Sequence, residues 1–101
     1  MPVIEIFIRD NGITITGHSG YAPPGQDIVC AAVSTLVQTL VCSVEDLTKD
    51  IIEYSLQSGN AEIRFGNLSD TARFLVDSFF VGISGVAEGN EQYVQIKEER
   101  T

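Results

Sequence analysis

The sequence predicts an α+β fold: a mainly antiparallel five-stranded sheet in the order ββαββαβ, with two helices packed on one face. Three observations lead there. Five short runs rich in β-branched or aromatic residues are separated by turn signals. Two longer segments repeat apolar residues at helical period. The chain has 101 residues, 44% hydrophobic and 20% charged, which suits one modest core and not a disordered polymer. Helices laid on one face of such a sheet are the natural way to bury both sets of apolar residues. No linker, internal repeat or low-complexity tract interrupts the chain, so residues 1–101 are expected to form a single domain.

Val3 to Arg9 alternates in part and reads as the first strand. Asn11-Gly12 follows, the strongest short hairpin signal. Ile13 to His18 is the second strand. Ser19 to Gln26 holds two glycines and two prolines and reads as a loop. Asp27 is a good N-cap for a helix that runs to about Leu47. Its first two turns, IVCAAV, are apolar all round, which predicts burial on several sides. Ile51 to Gln57 and Ala61 to Phe65 read as two more strands around a Ser58-Gly59-Asn60 turn. Thr71 to about Val86 is an amphipathic helix. Phe74, Leu75, Phe79 and Ile83 are its expected inner stripe, and Phe74, Phe79 and Phe80 an expected core cluster. Gln92 to Lys97 alternates as the last strand.

Six basic and fourteen acidic residues give a net charge of −8. The cations are scattered, which argues against nucleic acid or an anionic membrane as a direct partner. Acidity fits either a basic partner or plain solubility. The longest apolar run, Ile28 to Val33, is short for a membrane span, and the first residues lack the basic and apolar regions of a signal peptide. Two cysteines make no disulfide framework. On one helix Cys30 and Cys42 are separated by roughly 18 Å, too far to bond. Both are read as thiols in a reducing cytoplasm, with Cys42 expected in packing.

Chemistry concentrates in Gly17 to Ser34, GHSGYAPPGQDIVCAAVS. The single histidine, His18, ends a strand, and Cys30 falls in the first turn of a helix twelve positions later. A thiol at that place faces unpaired amides and the positive end of the helix dipole, which favour the thiolate nucleophile. A histidine within reach can accept the thiol proton and later protonate a leaving amine. Gly17 and Gly20 flank His18 and permit unusual backbone angles; Gly25 allows a sharp entry into the helix. Asp27 reads first as a cap and second as an orienter of His18. Ser34 lies one turn beyond Cys30 on the same face. Amides near Cys30 are available to an oxyanion. From the residues alone, core packing for Cys30 and simple exposure for His18 stay open. His18, Cys30 and Cys42 offer no metal-ligand spacing, and neither a dinucleotide nor a P-loop glycine pattern occurs, so no metal and no cofactor are expected.

Gly17-His18, Gly25, Asp27-Ile28-Val29-Cys30-Ala31-Ala32 and Ser34 resemble the ribosomal-processing cysteine protease family, Prp. The His-to-Cys interval, element order and length agree as well, so the resemblance spans the chain. It implies a cysteine endopeptidase that removes the N-terminal extension of a bacterial large-subunit ribosomal protein, cutting after an aromatic residue in a hydrophobic motif. His18 takes the base position and Cys30 the nucleophile position, with Asp27 and Ser34 in supporting places. The segment Ser19 to Gln26, with Tyr21 and Gly25, corresponds to a loop that orders over substrate, and homodimers are implied. Ser19 departs from the small apolar residue expected there, and Pro23-Pro24 stiffens the loop. The alternative function is a non-catalytic module that holds a basic ribosomal protein during ribosome assembly.

Overall fold

The computed structural model describes residues 3–18, 20, 22–23 and 27–100. Its elements follow the expected order: β1 Ile4–Arg9, β2 Gly12–Thr16, α1 Ile28–Leu47, β3 Glu53–Gln57, β4 Asn60–Arg64, α2 Asp70–Ala87 and β5 Val94–Glu98. The strands lie in the order β3-β4-β2-β1-β5. All neighbours are antiparallel except β1 and β5, which run parallel. The sheet is therefore mixed, and mostly antiparallel as expected.

Register explains the core. Ile6 faces Ile15, Ile8 faces Ile13, Ile13 faces Ile63, and Ile4 faces Val94. Alternation puts all of these on one face. Both helices cover that face. Val29, Val33, Val37, Leu40, Val41 and Val44 of α1, and Val76, Phe79 and Ile83 of α2, join the strand residues in one core. Among the described residues α1 alone is long and apolar enough to cross a membrane, yet this valine stripe packs on the sheet as a core helix does. Gly82 brings the helices together: a Cβ there would lie 3.1 Å from Leu36 Cδ2.

Four expectations on local structure are corrected. Arg9 pairs with Gly12, so Asp10-Asn11, not Asn11-Gly12, forms the β1–β2 turn. Gly12 serves a close approach instead, since a Cβ there would lie 2.7 Å from the Ile63 carbonyl oxygen. The start of α1 is not buried on several sides: Ile28 is 64% exposed and only Val29 and Val33 of IVCAAV are buried. A helix resting on one sheet face buries one stripe fully, and residues off that stripe are left half-buried or exposed. Phe74 is 75% exposed, and the inner stripe of α2 is Ala72, Val76, Phe79 and Ile83. Cys42 is exposed, not packed. It follows buried Val41 by about 100° of helix, on the outer side.

The helix ends are tied together. Thr48 closes α1, its N–H and its hydroxyl both donating to the Val44 carbonyl. Two residues on, Asp50 accepts from the Ser69 N–H (2.7 Å) and the Ser69 hydroxyl (2.6 Å). Ser69 in turn caps α2, its Oγ accepting from the Ala72 N–H. These Ser69 hydrogen bonds hold the Asp50 carboxyl below its ordinary value of 3.8. Ser69→Ala is expected to cost about 1 kcal/mol, the usual loss of a side-chain cap. Asp50→Ala should lower the melting temperature at neutral pH. A depressed carboxyl stabilises the fold above its unfolded value and loses that effect as pH falls through the folded one. The gap between wild type and Asp50→Ala should thus close on acidification below about pH 3.8; thermal melts across pH 2 to 7, a range of roughly five units, check this.

Candidate active site

Strand β2 ends where Thr16 pairs with Asn60. Gly17 then takes φ +92°, turns the chain out of the ladder and donates its N–H to the Gly59 carbonyl at 2.9 Å. His18 follows and is exposed. From the other side, Asp27 starts α1 in an extended conformation, φ −83° and ψ 98°. Its Oδ1 accepts from the Cys30 N–H at 2.9 Å, and its carbonyl accepts the first helical bond, from Ala31. The cap expected from the sequence is present. It also decides which helix-start donors stay open. Ile28, Val29 and Cys30 carry the first-turn amides that no helix carbonyl satisfies, and Asp27 takes the one belonging to Cys30. The first-turn amides left to meet a ligand are those of Ile28 and Val29.

His18 and Cys30 line one cleft of about 340 Å³. Half-buried Cys30, then Ser34 and Gln38 at successive four-residue steps, form its α1 wall. Ile4, Ile15, Val33 and Val37 make an apolar floor, and the β3–β4 hairpin from Leu56 to Ala61 makes the opposite wall. Of the residues singled out from sequence, Gly17, His18, Cys30 and Ser34 come together here. Asp27 reaches the site through the Cys30 amide. Gly20, at φ +67°, is exposed and does not line the cleft. Ser19, Tyr21 and Gly25 lie outside the described residues. Among the described residues, no three His, Cys, Asp or Glu side chains group as a metal ion would need. The cleft offers a thiol, an imidazole, a hydroxyl and amides above an apolar base, a set suited to acyl chemistry on an apolar segment.

The sequence model of the family described as cysteine protease Prp matches residues 4–95. The chain belongs to the Prp cysteine protease family. Solved structures agree in fold. An essential ribosomal processing protease Prp from S. aureus, in complex with a covalently linked product peptide, is 21% identical with a TM-score of 0.87, over 98% of this chain and 100% of that one. The same S. aureus protease with a substrate peptide gives 20% identity and a TM-score of 0.81, over 98% and 100%. SMU.848 from Streptococcus mutans is 28% identical with a TM-score of 0.79, over 100% and 96%. No curated protein sequence matches the chain closely enough to count as a relative.

The Prp motif carried the helix start and the strand end, but not the hairpin wall or Gln38. Gln38 was available from periodicity, four residues past Ser34. The hairpin wall depends on the pairing of β4 with β2, which no local pattern announces.

Two outcomes are expected at this site. Asp27→Ala should cost about 1 kcal/mol, and Asp27→Ser should restore most of it, because serine caps nearly as well; urea melts of the two variants measure this. Exposed Cys42 should be alkylated by iodoacetamide in the folded protein, and Cys42→Ser should remove that label while changing stability by no more than about 0.5 kcal/mol.

Proposed function

We propose that this Prp-family member is a Cys–His endopeptidase that trims the N-terminal extension of a large-subunit ribosomal protein in the bacterial cytoplasm, acting as a homodimer without direct nucleic-acid contact. The observation that carries the reading is the convergence of Cys30 and His18, from separate elements, on one apolar-floored cleft.

In the proposed chemistry His18 takes the Cys30 thiol proton as Sγ attacks the scissile carbonyl carbon. The carbonyl oxygen becomes an oxyanion, which first-turn amides of α1 stabilise. As the intermediate collapses, the C–N bond breaks and His18 gives its proton to the leaving amine. Water then attacks the thioester, His18 takes a proton from it, and Cys30 leaves as the acid product forms. Ser34 and Gln38 supply hydrogen bonds along the bound chain. The apolar floor suits a hydrophobic cleavage motif, and the net charge of −8 favours encounter with a basic ribosomal protein.

The test is cleavage of a peptide with an aromatic residue inside a hydrophobic motif. Cys30→Ala and His18→Ala should each lower turnover by at least about 10²-fold while the fold is kept. Unchanged cleavage in either variant would remove that residue from the chemistry. Tight binding of the intact ribosomal protein with no cleavage by the wild type would favour the assembly module instead.

A further inference from the structure

The β3–β4 hairpin does more than wall the cleft. Gln57 pairs with Asn60, which leaves Ser58-Gly59 as a two-residue turn, and Gly59 sits at φ +75°. That angle alone accounts for a glycine, but asparagine also tolerates it. Space is the second constraint. A Cβ on Gly59 would lie 2.7 Å from His18 Nε2, 3.3 Å from Cε1 and 3.4 Å from Cδ2. The whole Nε2 edge of the imidazole therefore rests on the bare α-carbon of Gly59. The same residue accepts the Gly17 N–H at 2.9 Å, one position before the histidine. Gly59 thus locates His18 twice, once through the backbone that presents it and once through the ring.

We propose that Gly59 is the positioning residue for His18: the hairpin tip is a platform whose missing side chain sets where the imidazole lies against Cys30. This rests on the reading of His18 as the base. Any side chain at Gly59 must push the ring away by several tenths of an ångström. A misplacement of about 1 Å costs on the order of 10²-fold in rate when a reacting group is held in place.

Gly89 is a matched control. Its φ is +84°, nearly that of Gly59, but a Cβ there meets nothing within 4 Å. Gly59→Ala, Gly59→Asn and Gly89→Ala, each in the full chain, separate backbone strain from ring displacement. His18 is the only histidine, so its imidazole NMR signals need no assignment by elimination. Both Gly59 variants should shift those signals and lower kcat on the peptide by about 10²-fold, with a smaller rise in KM. Gly89→Ala should lower the melting temperature while leaving the His18 signals and kcat as in wild type. Asparagine suits the left-handed angle, so Gly59→Asn keeps the test if the alanine variant fails to fold. Wild-type ring signals and kcat in a folded Gly59→Asn protein would overturn the proposal. Shifted ring signals in a chain whose wild type cleaves no peptide would support Gly59 as the platform and overturn only the reading of His18 as a base.

Discussion

The sheet has one apolar face, and everything else follows from covering it. Ile6, Ile13, Ile63 and Val94 are at most 1% exposed, and Ile83 and Val44 meet them from the two helices. Each such side chain contributes roughly 1.5–3 kcal/mol when fully buried, against about 1 kcal/mol for a typical hydrogen bond. The other face carries Glu5, Thr14, Thr16, Glu62 and Lys97, with Phe7 lying under Arg9 and Lys97, and gives a helix little to bury against. Both helices must therefore share one side, at close quarters, and Gly82 permits the approach. With α1 committed to the row of isoleucines, its first turn arrives beside the end of β2. The placing of Cys30 and His18 on one cleft is a by-product of that packing.

Element order, both helix spans and the Asp27 cap were legible because each rests on local rules: period, capping and turn chemistry. The misreadings share a different origin. Phe74 and Cys42 are apolar residues on helices that carry apolar residues around much of their circumference, so period alone does not choose the inward stripe. The partner surface chooses it. Asn11-Gly12 is a strong turn signal overruled by register, because β4 passes so near Gly12 that only glycine fits. The half of the site contributed by Gly17 to Ser34 was visible as a motif. The half contributed by Leu56 to Ala61 is assembled by strand pairing across more than forty residues, where no spacing in the sequence reports it.

Asp27 illustrates how one residue serves folding and constrains chemistry together. Its carboxylate satisfies a helix-start donor, which stabilises α1 and fixes the backbone under the thiol. The same bond withdraws the Cys30 amide from the donors at the helix start. An N-cap made through the Cys30 N–H thus leaves the proposed oxyanion contacts to its neighbours, Ile28 and Val29.

The two groups of the proposed dyad are held by parts of the molecule that differ in firmness. Cys30 stands on α1, whose valines run through the core. His18 leans on a hairpin whose outer strand, β3, has five exposed residues and, among the described residues, no strand on its far side. An exposed contact ties it to α1, the Tyr54 hydroxyl donating to Glu45 at 3.2 Å. Edge elements of this kind open locally at a free-energy cost well below that of global unfolding. On the proposed role of His18, catalysis therefore has its own thermal ceiling, set by fraying of the hairpin beneath the temperature at which the core itself gives way.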